Sequence, residues 1–409
     1  MKKTRQALIV ASSLILISSV CVFGQDWPQW RGPDRDAKAG NFSVPDKWPT
    51  ELTQKWKVTV GLGDSSPALV GDKLYVFARQ GDQEVILCLN AGDGTESWRV
   101  GYQAPAISGP SARQHSGPRS SPAVAEGKIV TIGVTGIVSC VDMAGKMLWQ
   151  KDIFPGAWPR FYTSMSPIIV DGMAIVHPGG EGNGGIVALN LANGEKKWDW
   201  TEDGPGYSSP VLMMVEDTKQ LVQMTDRNVV GINIADGKLL WKVAFVPEGR
   251  AYNAATPIVD GQTVVFTGAG RGTKAVKVEK QRDSFVAKEI WNNAELNPQF
   301  STPVLKDGLL FGMSNRGNLY CLNTKTSQAA WTDENSLDRS GFGEIVDVGS
   351  CLLALPSSGD LIVYKPDGGQ YSEIARYKVA DTPVYAYPVV SGNRIFIKDQ
   401  ESLAVFTVE

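Results

Sequence analysis

The sequence predicts an all-β fold, an eight-bladed β-propeller, and three observations lead to that prediction. A Ser/Thr-Pro phrase followed by aliphatic residues recurs along the chain, and a second phrase that ends in Trp alternates with it. Both phrases recur about every 45 residues, which is typical of propeller blades. The 409 residues also include 43 Gly and 23 Pro, a composition that favours many short strands and turns.

The first phrase predicts the inner strand of each blade. Its copies begin at Ser66-Pro67, Ser121-Pro122, Ser166-Pro167, Ser209-Pro210, Thr256-Pro257, Thr302-Pro303 and Tyr387-Pro388. The prolines are 55, 45, 43, 47, 46 and then 85 residues apart. Because the last step is close to two repeats, one copy has lost its Pro, near residues 346–349.

The second phrase predicts the outer strands of each blade. It reads aliphatic residue, Asn or Asp, a turn with Gly, and then a tryptophan that we expect to dock between adjacent blades: Trp56, Trp98, Trp149, Trp198, Trp241, Trp291 and Trp331, with Tyr377 near the eighth position. A four-stranded sheet cannot bury both faces without neighbours, so eight repeats predict eight blades. Buried docking rings account for much of the total of 12 Trp.

The two ends of the chain are expected to close the ring. The carboxyl end supplies strands up to Val408 but no Trp strand after them, whereas a lone strand at residues 52–60 carries Trp56. Pairing the two ends completes the eighth blade and removes two sheet edges. We therefore expect deletion of residues 25–60 to be severe and deletion of residues 25–48 to cost much less.

Three segments are predicted: a signal peptide at 1–24, an extended arm at 25–50 and the propeller at 51–409. Residues 1–5 carry three positive charges and an apolar stretch follows from Ala7 to Phe23, the pattern of a secretory signal. The alternative is an uncleaved anchor. Lipidation at Cys21 is disfavoured because Val20 precedes it, so we expect any membrane association to be indirect. The signal peptide predicts an exported protein of the periplasm or cell envelope.

Charge and composition exclude several functions. Lys plus Arg number 40 and Asp plus Glu 43, and without residues 1–24 the balance is 37 against 43, or −6. Such a chain has no long-range attraction to nucleic acid or anionic lipid. Two His and no CxxC pair exclude zinc and multi-histidine sites, and we predict no metal site, with a calcium site of Asp, Asn and carbonyl oxygens as the alternative. No catalytic signature is present, so we predict no catalytic residue.

The Trp phrase resembles the docking motif of the quinoprotein-like propeller family, whose repeats are called PQQ-like. That family contains dehydrogenases, which hold pyrroloquinoline quinone (PQQ) and calcium on the propeller axis, and a compact BamB-like class that binds protein segments without a cofactor. The chain has the length of the compact class and lacks the adjacent Cys pair of many dehydrogenases. The stretch from Trp27 to Pro33 (WPQWRGP) also resembles the opening of exported PQQ-like repeat proteins; it is either a structural clasp or a ligand-binding arm.

The candidate site lies where the connections between blades reach the central channel, just before each Ser/Thr-Pro phrase. The predicted binding residues are Asp64, Arg119, Arg160, Tyr162, Tyr207, Tyr252, Phe300, Phe342, Glu344 and Tyr385. Arginines among tyrosines suit an acidic peptide, a glycan or a quinone carboxylate. The alternative is that they only fill the channel with satisfied polar contacts.

These patterns lead to one functional hypothesis and one alternative. The first is an exported, non-catalytic and monomeric binding protein or scaffold without a cofactor, which holds a protein or peptide segment at the propeller face during cell-envelope or outer-membrane protein assembly. The alternative is a small PQQ-dependent oxidoreductase, with calcium, that acts on alcohols or sugars.

Overall fold

A computed structural model describes residues 26–409, and the predicted signal peptide at 1–24 lies outside that range. Eight four-stranded antiparallel sheets, here called blades 1 to 8, form a closed ring. The predicted fold class is confirmed. The first three strands of a blade are short and apolar because neighbouring blades cover both of their faces, whereas the outer strand alternates between exposed and half-buried residues.

The strands of each blade are given from the channel outward. Blade 1 contains Ala68–Val70, Lys73–Gln80, Gln83–Asn90 and Glu96–Gln103; blade 2 contains Ala123–Ala125, Lys128–Ile132, Ile137–Asp142 and Met147–Asp152; blade 3 contains Ile168–Val170, Met173–Val176, Ile186–Asn190 and Lys196–Trp200; blade 4 contains Val211–Val215, Thr218–Met224, Asn228–Asn233 and Leu239–Ala244.

The second half of the ring follows the same order. Blade 5 contains Ile258–Asp260, Thr263–Gly268, Gly272–Gln281 and Ser284–Asn293; blade 6 contains Val304–Lys306, Leu309–Met313, Asn318–Asn323 and Gln328–Ser336; blade 7 contains Gly343–Asp347, Leu352–Pro356, Asp360–Tyr364 and Glu373–Lys378; blade 8 contains Val389–Ser391, Arg394–Lys398, Ser402–Thr407 and Thr53–Thr59. A hairpin of Gly179–Gly180 and Asn183–Gly184 and a short helix, Pro110–Gln114, lie in the connections.

Blade 8 contains both ends of the described chain. Thr53–Thr59 pairs antiparallel with Ser402–Thr407, with Trp56 opposite Val405. The predicted closure is confirmed, and it leaves no unpaired edge at the junction of the two ends.

Docking tryptophans join successive blades. The indole nitrogens of Trp98, Trp149 and Trp198 donate to main-chain oxygens of the next blade's turn, at 3.2, 3.0 and 3.0 Å from Met143, Leu191 and Ile234 respectively. The rings of Trp56, Trp98, Trp149 and Trp198 lie against Gly94, Gly145, Gly194 and Gly237. Those glycines have positive φ, and a Cβ at any of them would lie within 2.8 Å of the ring. Glycine is therefore needed both for the backbone conformation and for the space beside the ring.

The docking positions of blades 4 and 7 differ from the repeat. Trp241 donates at 2.7 Å to Gln220 of its own blade instead of the next one. In blade 7, Ala375 and not Tyr377 lies beside the bulge where the other blades carry Trp. Tyr377 does not dock as the sequence suggests; it packs on Trp48 and donates to the Pro49 carbonyl at 2.7 Å.

A belt of hydroxyl groups explains the repeated Ser or Thr before Pro. The main-chain N–H of each of these residues donates, at 2.9–3.0 Å, to the hydroxyl of its counterpart in the next blade, along the series Ser66, Ser121, Ser166, Ser209, Thr256 and Thr302. Blade 8 has Tyr387 at this position, and its N–H donates to Ser66 at 2.7 Å. Blade 7 has no Ser/Thr-Pro phrase, and its inner strand begins with Gly343-Glu344.

The described part of the amino-terminal arm covers one end of the channel. Trp27 is fully buried and exchanges main-chain hydrogen bonds of 2.7 and 2.9 Å with Leu69 of blade 1. The Pro28 carbonyl accepts from Val124 of blade 2 at 2.8 Å, and Asp347 of blade 7 pairs with the arm as well. The arm is therefore bound to inner strands on several sides of the ring.

Two arginines of the arm extend into the channel. Arg31, 1% exposed, donates to the Thr302 and Pro303 carbonyls of blade 6 at 2.9 and 3.0 Å and to the Tyr387 hydroxyl at 2.6 Å. Arg35 donates to the Ser166 and Pro167 carbonyls of blade 3 at 3.0 Å each. The guanidinium groups thus connect blades that are far apart in the ring.

Candidate functional site

An aromatic funnel opens at the end of the channel opposite the arm. Its cavity has a volume of about 410 Å³ and is lined by Asp64, Gln114, His115, Arg119, Phe161, Ser164, Tyr207, Tyr252, Ala254, Phe300, Phe342, Glu344 and Tyr385. Eight of the ten predicted binding residues are in this lining. They meet because each precedes an inner strand, and all inner strands start at the same end of the ring.

A continuous arc of aromatic rings forms most of the funnel wall. Successive ring centroids are 4.9 Å apart for Phe161 and Tyr252, 5.9 Å for Tyr252 and Phe300, 3.9 Å for Phe300 and Phe342, and 5.2 Å for Phe342 and Tyr385. Tyr207 joins the arc at 4.9 Å from Tyr252. Burial raises the pKa of Tyr207 to about 12 and also raises the pKa of Tyr252 and Tyr385, so the phenols stay neutral.

An Asp–His pair lies at one side of the arc. The Asp64 carboxylate is 2.6 Å from Nδ1 of His115, and the imidazole meets the Tyr385 ring edge-on at 4.7 Å. Lys398 lies below this pair and donates to the Gly63 carbonyl at 2.7 Å, and burial lowers its pKa to about 8. The hydroxyl of Ser164 donates to the Tyr207 carbonyl at 3.1 Å, so it is not paired with His115 as a nucleophile would be.

Arg119 is held by the main chain. Its terminal nitrogens donate to the Phe161 carbonyl and, at 3.0 Å, to the His115 carbonyl. Burial lowers its pKa, while the negative charge of Asp64 acts in the opposite direction. The guanidinium therefore connects two loops of the funnel wall.

Glu344 lies at the start of the inner strand of blade 7, the blade that lacks the Ser/Thr-Pro phrase. Its Oε2 atom is buried and has no hydrogen-bond partner among residues 26–409. Burial raises its pKa to about 8, although Tyr387 and the charge of Arg31 favour the ionised form. Glu344 therefore lies in the funnel lining and interacts electrostatically with Arg31 of the arm.

Two predicted binding residues lie outside the funnel lining. Arg160 is exposed, and its guanidinium lies 5.1 Å from the centroid of the Phe161 ring. Tyr162 is 7% exposed, and its hydroxyl exchanges hydrogen bonds of 2.9 and 3.0 Å with the main chain of Ser108. Phe161, between them, was missed because spacing alone does not tell which of three consecutive residues faces inward.

Further features of the described residues concern metal ligands, cysteines and apolar helices. Across residues 26–409, no group of three or more His, Cys, Asp or Glu could hold a metal ion. Cys88, Cys140, Cys321 and Cys351 are free and buried, and none of them lines the funnel. No helix in this part of the chain has both the length and the apolar character to cross a membrane.

The family follows from a sequence comparison. The profile of the family described as outer membrane protein assembly factor BamB matches residues 81–333. The chain belongs to this family. A BamB of Burkholderia pseudomallei is 22% identical over 367 residues, 86% of each protein, and a BamB of Yersinia pestis is 28% identical over 249 residues, 57% of this chain and 60% of that protein. The match to the Yersinia protein thus spans less than two thirds of its length.

Solved structures of a BamB protein and of an alcohol dehydrogenase have the same fold as this chain. BamB from Moraxella catarrhalis aligns over 87% of this chain and 99% of its own, with a TM-score of 0.67 and 14% identity. The quinohemoprotein alcohol dehydrogenase of Comamonas testosteroni aligns over 94% of this chain and 80% of its own, with a TM-score of 0.72 and 15% identity. At these identities the similarity establishes the propeller fold alone.

Proposed function

We propose that this BamB-family chain is an exported, non-catalytic propeller that binds a segment of another protein in its aromatic funnel during assembly of the cell envelope. The arc of rings from Phe161 to Tyr385 is the observation that carries the proposal. Aromatic side chains are enriched where proteins bind one another, and they lose little conformational entropy on binding.

The names of the relatives support the place of action. The curated relatives of Burkholderia and Yersinia are outer membrane protein assembly factors. We place this chain in the periplasm or cell envelope, with residues 1–24 as the export signal, residues 25–50 as the arm and residues 51–409 as the propeller that presents the funnel.

The quinoprotein alternative fits the funnel poorly. Pyrroloquinoline quinone is a planar tricarboxylate, yet the lining has one arginine, Arg119, whose terminal nitrogens already donate to main-chain carbonyls. Asp64 and Glu344 would place carboxyl groups beside those of the quinone. The residues present do not suit this cofactor.

Capture from an envelope extract tests the proposed function. The mature chain serves as bait beside a Phe300→Ala/Phe342→Ala variant, which removes the closest ring pair of the arc without removing a polar group. The control is Ile290→Ala/Ile374→Ala, which trims two exposed outer-strand residues, 50% and 41% exposed. We expect the wild type and the control to retain one set of proteins that the funnel variant loses. Equal retention by all three would reject the funnel as the interface.

A further inference from the structure

The funnel contains an acidic group that the protein satisfies only in part, through a hydrogen bond with Tyr387 and the nearby charge of Arg31. Glu344 lines the cavity, and its Oε2 atom has no hydrogen-bond partner among the described residues. A buried polar atom left unpaired costs stability, and such atoms in native proteins commonly mark a bound water, ion or ligand group. Blade 7 has this carboxyl at the start of an inner strand, where six other blades have the hydroxyl belt.

The arginines near the channel leave little room for an acidic ligand. Arg31 donates to main-chain carbonyls and to Tyr387 on the arm side. Arg119 donates through both terminal nitrogens, and only its buried Nε lacks a partner. Four other arginines in the connections between blades, Arg113, Arg160, Arg250 and Arg339, are exposed and lie outside the funnel lining.

The aromatic arc adds a preference for positive charge. Phe300 and Phe342 stack 3.9 Å apart, and Phe342 meets Tyr385 at 86° in the same wall that holds Glu344. The faces of aromatic rings attract cations, and clusters of such rings recognise ammonium groups. An incoming cation also favours the ionised form of a neighbouring carboxyl.

We propose that the funnel recognises a lysine or arginine side chain of the partner segment, with the cation between the aromatic arc and Glu344. This inference rests on the proposed function and specifies the partner's chemistry. The net charge of −6 on the chain without residues 1–24, which is 37 basic against 43 acidic residues, favours a basic partner in the same way.

Four capped peptides of the form Gly-Gly-X-Gly-Gly, with X as lysine, arginine, norleucine or glutamate, provide the test. Norleucine has the aliphatic stem of lysine without the charge. Binding to the mature wild-type chain and to Glu344→Gln is measured by calorimetry or ligand-detected NMR at pH 8. We expect the lysine or arginine peptide to bind at least about tenfold more tightly than norleucine, and Glu344→Gln to remove most of that difference.

The outcomes separate this inference from the proposed function. Norleucine binding as well as lysine, glutamate binding best, an unchanged preference in Glu344→Gln, or no binding by any peptide would overturn the cation site. Lysine selectivity without any funnel-dependent protein in the envelope capture would support the cation site and reject the protein partner, indicating a free amine instead. Thermal denaturation of Glu344→Gln checks that the variant is folded.

Discussion

The two ends of the channel differ in what fills them, because buried side chains of the arm occupy one end and a cavity lined by aromatic rings lies at the other. At the arm end, Arg31 and Arg35 donate to carbonyls of blades 6 and 3 and are at most 4% exposed. At the funnel end, aromatic rings line a cavity, and the Oε2 atom of Glu344 lacks a hydrogen-bond partner among residues 26–409. The arm end is filled by side chains of the chain itself, although Trp27 Nε1 and Arg35 Nε lack hydrogen-bond partners there, whereas the funnel end leaves a cavity open to a partner segment.

This contrast separates stability from recognition. Substitutions at the arm end should lower stability and change binding only through unfolding. Substitutions at the funnel end should alter binding while the ring stays folded. The predictions below run from the largest expected effect on stability to the smallest.

Deleting residues 25–48 should destabilise the protein severely. The sequence alone suggests that this deletion costs much less than deletion of residues 25–60, but Trp27 is fully buried and the deletion also removes Arg31, Phe42 and Trp48 from the core. Losing one buried Trp commonly costs about 3–5 kcal/mol, a large part of a typical stability of about 5–15 kcal/mol. Thermal denaturation and size-exclusion chromatography should show a much lower melting temperature or aggregation. A truncated protein that melts like the full mature chain would show that the arm does not stabilise the ring.

Arg31→Ala should cost about 3 kcal/mol or more in the free energy of unfolding, because it leaves buried carbonyls of blade 6 and the Tyr387 hydroxyl without their donor. Arg376→Ala is the matched control. Arg376 forms an exposed ion pair with Glu373, and its loss should cost less than about 1 kcal/mol. Urea denaturation of both variants measures the difference, and equal costs would mean that Arg31 does not fasten the arm.

The Phe300→Ala/Phe342→Ala variant should lose less, on the order of 2 kcal/mol, because both rings are partly exposed in the funnel and the full cost of removing a Phe applies to buried ones. Its circular dichroism spectrum should match that of the wild type, and urea denaturation gives the cost. A loss as large as that of Arg31→Ala would make these rings part of the core, and the separation of the two ends would be wrong.

Glu344→Gln should stabilise the protein by an amount that grows with pH. Burial raises the Glu344 pKa from 4.5 to about 8, so the folded chain binds more protons than the unfolded chain between those values and loses stability as pH rises. Because the carboxyl borders the open funnel, solvent should limit the effect to about 1 kcal/mol. Melting temperatures from pH 5 to pH 8 should show a widening advantage for the variant, and parallel curves would contradict the raised pKa.

Repetition made the ring predictable. Seven copies of an X-Pro phrase and a series of Trp residues gave the blade count, and the lone Trp56 strand gave the closure that its pairing with Ser402–Thr407 confirms. The same register indicates which residues precede each inner strand, and that is why eight of ten predicted binding residues line one cavity.

Positions outside the repeat were less predictable. Tyr377 lies two residues past the docking position of blade 7, which Ala375 occupies beside the same bulge that the other blades have. Arg160 and Tyr162 lie in an irregular connection, where Tyr162 has a φ of 66° and turns its side chain away from the funnel. Nor does any local pattern show that Arg31 contacts Thr302, 271 residues away.

Site-specific photocrosslinking in living cells tests most directly the claim that the funnel end receives the partner and the arm end does not. A photoreactive phenylalanine derivative replaces Phe300 in the funnel or Asp34, an exposed residue of the arm. We predict a crosslinked protein from position 300 and none from position 34, with the crosslink weakened by adding Glu344→Gln. Crosslinking from position 34 alone, or equally from both positions, would contradict the account.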